Sequence, residues 1–411
     1  MTRRFAFASR RSFLRSAGAA ALVSPALGEG QLAYAALQSG TAQAPTHGNG
    51  QAEKARRVRP VIAPGAVLIN ANENPLGPCE AACQAIAAIA PKGGRYDIDN
   101  ETEKLTKTFA AQSGLPEDHI AVYAGSSEPL HYTVLAFTGP GKPFVTADPS
   151  YEAGMYAAAM ANAPIVKVPL TPEYAHDVKA MVKTRNAGVL YLCNPNNPTG
   201  TLTQPEEIAY AYANKPDGSI LLIDEAYIHL ADAPSALEMV KQGKDVIVLR
   251  TFSKVYGMAG IRCGFALARP DLLAKLQSYG MNAMPITGSA AAHVSLLDAE
   301  LVPKRKKIIA DTRTETFAWL DANGYRYIPS VSNCFMIDTG RDGKSVIQAM
   351  QAKNVYIGRT WPIWPTYVRV SVGTPAEMMA FRTAFQEVMG GPATPVAARV
   401  EEPGVAFPYL S

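Results

Sequence analysis

The sequence predicts an α/β fold in which a mostly parallel sheet is covered by helices on both faces. From about residue 120, short apolar runs of strand length alternate with helical stretches, which is typical of βαβ units. Motifs rich in Gly, Pro, Asn and Ser fall where the runs end, and such sheets bind ligands at the carboxyl ends of their strands. The predicted strands cover residues 143–147, 165–169, 188–193, 220–224, 246–249 and 263–268, and the predicted helices cover 129–137, 151–161, 178–184, 205–213 and 236–242.

The first 35 residues have the order of an export signal. The paired Arg10 and Arg11 precede a small apolar run at 17–27, and residues 33–35 (Ala-Tyr-Ala) offer a cleavage site. These features resemble a twin-arginine signal, which predicts export by the Tat machinery to the periplasm or beyond. The alternatives are a disordered basic N-terminus or a mitochondrial presequence, and a cytoplasmic protein if there is no export signal. Residues 36–58 predict a flexible linker.

The net charge of the chain is concentrated at its N-terminus. The formal net charge is +4, and five arginines against one glutamate give residues 1–35 a charge of +5 − 1 = +4, which leaves +4 − 4 = 0 for the remainder. A neutral body gives no electrostatic reason to expect nucleic acid or an anionic membrane as a partner. No apolar run reaches the roughly 18 residues that a membrane span needs.

The five cysteines are too sparse, and odd in number, to predict a disulfide framework. Cys79 and Cys83 lie four residues apart on a predicted helix, which suits either half of a metal site or two small buried side chains. No His/Cys partner pair occurs at the spacing of zinc-finger ligands. We therefore predict two buried side chains and no metal.

We expect two domains, because 411 residues exceed the usual size of a single hydrophobic core. An N-terminal arm that forms part of the small domain covers 59–100, the large domain covers 101–300, the C-terminal small domain covers 301–390, and a poorly ordered tail covers 391–411. The small domain is predicted to be α+β. A helix is predicted near 80–90 in the arm, and further helices of the large domain are predicted near 101–111, 271–277 and 289–297. A long helix near 303–323 leads into the small domain, which has helices near 344–353 and 375–389 and strands near 325–328, 334–338, 355–358 and 368–372.

Lys254 lies at the centre of the most informative stretch. Thr251 and Ser253 flank it, two glycines follow, and Arg262 comes eight residues later. An amine that attacks a carbonyl needs a partly desolvated site, while hydroxyls and a guanidinium suit a phosphate dianion. An aldehyde cofactor that carries a phosphate, pyridoxal phosphate, matches both features. The alternative is a surface lysine beside a serine that caps a helix.

Three further motifs follow predicted strands. Ser126 and Ser127 follow Gly125 at a helix start, where backbone N–H groups can bind phosphate or the serine can simply be an N-cap. Tyr151 could stack on a planar ring or pack in the core. Asn197, in the turn Asn-Pro-Asn-Asn-Pro-Thr-Gly, could donate from its amide or form an Asx-turn.

Asp224 ends a strongly apolar strand, and Tyr227 follows three residues later. A buried carboxylate is costly unless it meets a cation, and a protonated pyridine nitrogen would be that cation. Tyr227 could then donate to the phenolic oxygen of the ring. A helix cap or a structural ion pair is the alternative for Asp224.

Taken together and in this order, the motifs resemble the fold-type I pyridoxal-phosphate aminotransferases of class I/II. Asn-Glu-Asn-Pro-Leu-Gly-Pro at 72–78, the turn at 194–200 and Thr-Phe-Ser-Lys at 251–254 resemble the histidinol-phosphate aminotransferase branch. The resemblance covers about residues 60–390. It implies a mostly parallel seven-stranded sheet in the large domain, a smaller α+β domain, pyridoxal 5'-phosphate as cofactor, and a homodimer with shared active sites.

The resemblance also implies a role for each matching residue. Lys254 would bond covalently to the cofactor and act as general acid/base, Asp224 would pair with the ring nitrogen, and Tyr227 and Asn197 would bind the ring oxygen. Tyr151 would stack on the ring. The phosphate would be held by Ser126, Ser127, Thr251, Ser253 and Arg262, with Tyr96 from the neighbouring subunit.

Substrate contacts are implied for Arg369, Arg359 and Asn74. Arg369 matches the arginine that binds the anionic end of the substrate, and Arg359 matches a second one that faces the substrate phosphate in histidinol-phosphate enzymes. For each arginine, the alternative is a surface ion pair. Trp361 and Trp364 depart from the family pattern, and they could line the substrate pocket or serve only in packing.

The predicted function is an aminotransferase that moves an amino group between an amino acid, or an amino alcohol phosphate like histidinol phosphate, and a 2-oxo acid. Two alternatives stay open at this point. A decarboxylase or a cyclising or eliminating lyase would use the same lysine and aspartate. A non-catalytic protein that binds pyridoxal phosphate would keep the fold without turnover.

Overall fold

A computed structural model of the chain describes residues 62–280 and 284–390. The predicted export signal at 1–35, the linker at 36–58 and the tail at 391–411 lie outside the described residues. Those three assignments stay predictions.

A seven-stranded sheet forms the centre of the fold. Its spatial order is β2-β8-β7-β6-β5-β3-β4, and β8 alone runs against the other six strands. The prediction of a mostly parallel seven-stranded sheet is confirmed. The strands are β2 (Ile120–Tyr123), β3 (Phe144–Asp148), β4 (Ile165–Pro169), β5 (Val189–Cys193), β6 (Ile220–Asp224), β7 (Val246–Thr251) and β8 (Gly264–Leu267).

The three central strands are β5, β6 and β7, and every residue in them is buried. Strands that are covered on both faces read as continuous apolar runs, which is why the sequence identified them closely. Their parallel pairing brings their carboxyl ends to one edge of the sheet. The turn after β5, Asp224 at the end of β6 and the Thr251–Lys254 stretch that begins at the end of β7 therefore lie side by side.

Helices occupy the connections between the strands. Helix α3 begins at Ser127, two residues before the predicted start, because its first turn includes the residues of the Gly-Ser-Ser motif. The helices of this part of the chain are α1 (Glu80–Ile89), α2 (Glu101–Ser113), α3 (Ser127–Phe137), α4 (Ala153–Met160), α5 (Val178–Met181), α6 (Pro205–Asn214), α7 (Leu237–Lys241), α8 (Pro270–Gln277) and α9 (Ile286–Leu297).

The remaining elements form two small sheets and three helices. Strands β9 (Arg326–Ile328), β10 (Cys334–Asp338) and β12 (Tyr367–Ser371) pair antiparallel in the order β12-β10-β9. Strand β1 (Val67–Ile69) pairs parallel with β11 (Val355–Ile357). The helices are α10 (Leu301–Ala322), α11 (Gly343–Ala352) and α12 (Pro375–Gly390). The elements match an α+β unit, while the predicted domain boundaries stay a prediction.

One prediction about the cysteines is wrong. Cys79 is half-buried at the N-cap position of α1, and Cys83 is exposed, because Ala82 and Ile89 take the buried positions of that helix. Within residues 62–280 and 284–390 no cluster of three metal-binding side chains occurs. In the same ranges, none of the helices is both long and apolar enough to cross a bilayer.

Candidate active site

Lys254 follows β7, and its amine lies beside residues from two distant parts of the chain. Nζ donates to the backbone carbonyl of Asn72 at 2.6 Å and lies 5.3 Å from the centre of the Tyr227 ring. Burial lowers the pKa of the amine to about 8, and the positive charge of Arg369 acts in the same direction. A lysine with such a pKa supplies a neutral, nucleophilic amine close to neutral pH.

Asp224 is a buried carboxylate at the end of β6. It accepts hydrogen bonds from the Tyr191 hydroxyl at 3.0 Å and from the backbone N–H of Ala226 at 3.2 Å. Burial raises its pKa to about 6, although both donors and the positive charge of Lys254 oppose that shift. Across the described ranges no cationic side chain lies within ion-pair distance of it. The carboxylate is therefore suited to a ligand that brings a positive charge.

Arg369 is the complementary case, a buried guanidinium on β12. Its two terminal nitrogens donate to Oδ1 of Asn197 and to the backbone carbonyl of Asn70, both at 3.0 Å. Both acceptors are neutral, Nε has no hydrogen-bond partner, and burial lowers the pKa of the group. No carboxylate forms an ion pair with it in the part of the chain that the structure describes. Such a group is suited to an anionic ligand.

Asn72 is a site residue that the sequence analysis missed. Its amide nitrogen donates to the Tyr227 hydroxyl at 3.0 Å, and its Oδ1 accepts from the Ser371 hydroxyl at 3.1 Å. Its own carbonyl also holds Lys254. The Asn-rich loop at 69–78 is the only signal in the sequence, and that signal does not distinguish Asn72 from its neighbours.

The predicted phosphate site lies where Gly125 and Arg262 come into close contact. Gly125, at a positive φ of 93°, lies against the Arg262 guanidinium so closely that a Cβ there would be 2.2 Å from its terminal nitrogen. Only glycine allows this approach. Arg262 thereby reaches the start of α3, where Ser126 and Ser127 lie and where backbone N–H groups suit an anion.

Hydroxyl groups complete the same corner of the site. The Thr251 hydroxyl donates to Ser253 Oγ at 3.0 Å and accepts the Ser253 backbone N–H at 3.1 Å. Arg262 donates to the same Ser253 oxygen at 3.3 Å. The Tyr151 hydroxyl lies 3.5 Å from Ser127 Oγ, which places the predicted ring-stacking residue next to the phosphate corner.

Two other predicted residues are placed differently. The Asn74 amide donates to the carbonyl of Val255 at 3.1 Å and its oxygen accepts from Leu76 N–H at 3.1 Å, so both of its polar groups bind backbone beside the site. Its role in substrate binding stays a prediction. Tyr96 is 91% exposed in the single chain, and its predicted role in the phosphate site of a neighbouring subunit stays a prediction.

Arg359 forms an ion pair with Glu152, the residue that follows Tyr151. Its guanidinium carbon lies 4.4 Å from the centre of the Trp361 ring. Trp361 is buried, whereas Trp364 packs edge-on against Tyr174 at 5.7 Å. Trp361 therefore packs beside Arg359, and Trp364 packs against Tyr174. A role of either ring in lining the substrate pocket stays a prediction.

The donor set fits pyridoxal phosphate. The corner formed by Gly125 and Arg262 offers N–H and O–H donors for a phosphate, Asp224 offers an anion for a ring nitrogen, and Lys254 offers an amine for an aldehyde. Tyr227 lies beside the Lys254 amine, and Asn197 lies beside Arg369. Arg369 remains for the carboxylate of a second molecule.

Comparison with known proteins agrees with this geometry. The model for the family "Aminotransferase class I and II" matches residues 65–385. The chain is 31% identical over 332 residues to a histidinol-phosphate aminotransferase of Symbiobacterium thermophilum, covering 79% of this chain and 91% of that protein. It is 33% identical over 327 residues to an aromatic amino acid aminotransferase of Rhodococcus jostii, covering 77% and 89% respectively.

Solved structures show the same likeness. The putative histidinol-phosphate aminotransferase of Erwinia carotovora atroseptica superimposes with a TM-score of 0.75 at 31% identity, over 78% of this chain and 95% of that chain. The histidinol-phosphate aminotransferase of Sinorhizobium meliloti, solved in complex with pyridoxal-5'-phosphate, gives 0.72 at 28% identity, over 79% and 91%.

Proposed function

Because this chain belongs to the class I and II aminotransferases, we propose that its substrates are an α-amino acid donor and a 2-oxo acid acceptor. The enzyme depends on pyridoxal phosphate. The observation that carries the choice of substrate is Arg369, a buried guanidinium that contacts only neutral acceptors. An α-carboxylate supplies the negative charge that this group lacks.

Each residue of the site contributes binding, orientation or proton transfer. When bound, pyridoxal phosphate supplies an aldehyde for the amine and a ring that withdraws electrons from the substrate Cα. Asp224 would keep the ring nitrogen protonated, and Arg262 with the neighbouring hydroxyl and N–H donors would hold the phosphate. Lys254 takes the proton from Cα, because its pKa of about 8 makes the neutral amine available. Arg369 fixes the carboxylate and thereby selects the bond at Cα that breaks.

The relatives include both histidinol-phosphate and aromatic amino acid aminotransferases at similar identity. The guanidinium of Arg369 suits either the carboxylate of an amino acid or the phosphate of an amino alcohol phosphate. The motifs resemble the histidinol-phosphate branch, and we propose amino acids as donors, a choice that the amino acid panel below tests.

We also propose a homodimer and export. Tyr96 is exposed on the single chain, and a partner subunit would bury it at the partner's phosphate site, as the resemblance implies. Residues 1–35 support export by the Tat machinery to the periplasm, since a protein that loads its cofactor before export must cross the membrane folded. Chromatography with light scattering tests the dimer.

The test of the function is to mix the purified holoenzyme with a panel of amino acids. Half-transamination converts the bound cofactor to its amine form, which changes its visible absorbance. Release of carbon dioxide without this conversion would favour a decarboxylase. Absence of Cα proton exchange with solvent across the whole panel would favour a non-catalytic binding protein.

A further inference from the structure

Asn72 makes hydrogen bonds to several parts of the active site at once. Its amide nitrogen donates to the Tyr227 hydroxyl at 3.0 Å and to the Cys334 thiol at 3.2 Å, and its oxygen accepts from the Ser371 hydroxyl at 3.1 Å. Its backbone carbonyl accepts from the Lys254 amine at 2.6 Å. Because the residue is buried and all of these groups are bonded, its side chain is held in one position.

The partners of the Asn72 amide determine which way it faces. An asparagine amide has two N–H donors and one acceptor oxygen. Two acceptors, the Tyr227 oxygen and the Cys334 sulfur, lie on the nitrogen side, whereas Ser371 lies on the oxygen side. The Cys334 thiol donates its own proton to the Pro198 carbonyl at 3.8 Å, so its sulfur is available to accept. Exchanging the amide nitrogen and oxygen would leave one N–H without an acceptor in the described part of the chain, which is unfavourable.

This orientation decides how the single proton of the Tyr227 hydroxyl is used. Because Asn72 is the donor in their hydrogen bond, the phenol oxygen accepts, and its proton is left for another group. Among residues 62–280 and 284–390, no acceptor lies within hydrogen-bond distance of that proton. A hydroxyl that accepts one hydrogen bond also becomes a stronger donor, because the first bond polarises its O–H. Tyr227 is therefore prepared to donate to a bound molecule.

The charges around this group are not altered by a neutral change at Asn72. The ionisable groups that act on Tyr227 or on Lys254 are chiefly Arg369, Asp224, Glu73, Cys193 and Cys334. None of them takes its charge from Asn72. The effect of an uncharged replacement of Asn72 can therefore be assigned to its hydrogen bonds.

We propose that Asn72 is a positioning residue that leaves the Tyr227 proton free for the ring oxygen of the bound cofactor. This role rests on the cofactor and on the contact between Tyr227 and the ring that the resemblance implies. A hydrogen bond donated to the ring oxygen weakens the attraction of that oxygen for the proton on the nitrogen that joins Lys254 to the cofactor. Asn72 therefore lowers the pH at which this nitrogen loses its proton.

The experiment is a pH titration of the visible absorbance of the lysine-bound cofactor, which reads the protonation of this nitrogen without turnover. Tyr227→Phe raises the midpoint by about one pH unit or more, since it removes a hydrogen bond to a charged oxygen. Asn72→Leu raises the midpoint by roughly half a pH unit, because Tyr227 loses its anchor and becomes a weaker donor. In the Tyr227→Phe background, Asn72→Leu has no further effect on the midpoint.

Asn333→Leu is the matched control. Asn333 is buried and donates to the carbonyl of Glu73 at 3.0 Å, so it holds the same loop, and Tyr227 is not among its hydrogen-bond partners. This variant leaves the midpoint unchanged. Asn72→Ala takes the place of the leucine variant if the larger side chain prevents folding, and the same rise is expected.

Four results would overturn the proposal. They are an unchanged midpoint when Asn72 is replaced, an equal rise in Asn333→Leu, a rise that persists in the Tyr227→Phe background, and an unchanged midpoint in Tyr227→Phe itself. A failure of the proposed function is distinguishable from all of these. A holoenzyme that shows the expected midpoints but converts no amino acid would refute the aminotransferase activity alone.

Discussion

Replacing Arg369 with glutamine should separate activity from stability. A bidentate guanidinium–carboxylate contact contributes two hydrogen bonds to a charged group, each about 1.5–3 kcal/mol, so its loss costs roughly 3 kcal/mol or more. At about 1.4 kcal/mol per decade, kcat/KM should fall at least about a hundredfold.

The effect of the same change on folding should be small. The variant loses two hydrogen bonds to neutral acceptors, Asn197 and Asn70, which contribute about 1 kcal/mol each. The variant also removes a buried positive charge that has no carboxylate partner in the described part of the chain. Removing such a charge saves its desolvation cost, which raises the free energy of unfolding by several kcal/mol. The free energy of unfolding should therefore not fall by more than about 1 kcal/mol.

The assay pairs cofactor-absorbance kinetics with urea unfolding of the same holoenzyme preparations. Arg382→Gln is the control, since Arg382 forms an ion pair with the exposed Glu315 on α10 and should change neither quantity much. Loss of stability with unchanged kcat/KM would mean that Arg369 has only a structural role and would refute its assignment to the substrate.

Arg250→Met should lower the free energy of unfolding, measured in urea, by about 3–5 kcal/mol, because it leaves the buried Glu225 carboxylate without the guanidinium at 2.7 Å. The double variant Arg250→Met/Glu225→Gln should recover much of this loss, because the unpaired charge is gone. Without any recovery, the pair is not what stabilises this region. The rate at which apoenzyme recombines with pyridoxal phosphate should rise with pH and level off above about pH 8. The reason is that the pKa of Lys254 is lowered to about 8 and only its neutral amine reacts with the aldehyde. A midpoint of the rate profile near pH 10.5 would contradict the lowered pKa. Changing Arg10 and Arg11 to lysine should retain the protein in the cytoplasm in a fractionation assay, whereas normal export would contradict the twin-arginine signal.

The sequence predicted the central elements well because their signals are local. The β6 strand was placed at residues 220–224, the bounds that the structure has, since a strand buried on both faces is apolar throughout. Strand β1, only three residues long, was missed, because its pairing with β11 depends on a segment nearly the whole fold away in sequence. Short strands of this kind have no periodicity to detect.

The site residues divide in the same way. Lys254, Asp224 and Arg262 stand in local motifs, and the structure brings them to one edge of the sheet. Asn72 was missed because its partner Tyr227 is 155 residues away. Glu152 was missed because Arg359 is 207 residues away, so a glutamate after Tyr151 reads as an ordinary polar residue until the chain is folded.

The most direct test of the mechanism is the visible absorbance of the cofactor in Lys254→Ala. Wild-type protein reconstituted with pyridoxal phosphate should show the absorbance band of the lysine-bound cofactor, because the amine of Lys254 bonds to the aldehyde. The variant should lose this band and show that of the free aldehyde, with no turnover. A variant that kept the band of the lysine-bound form would show that another amine holds the cofactor.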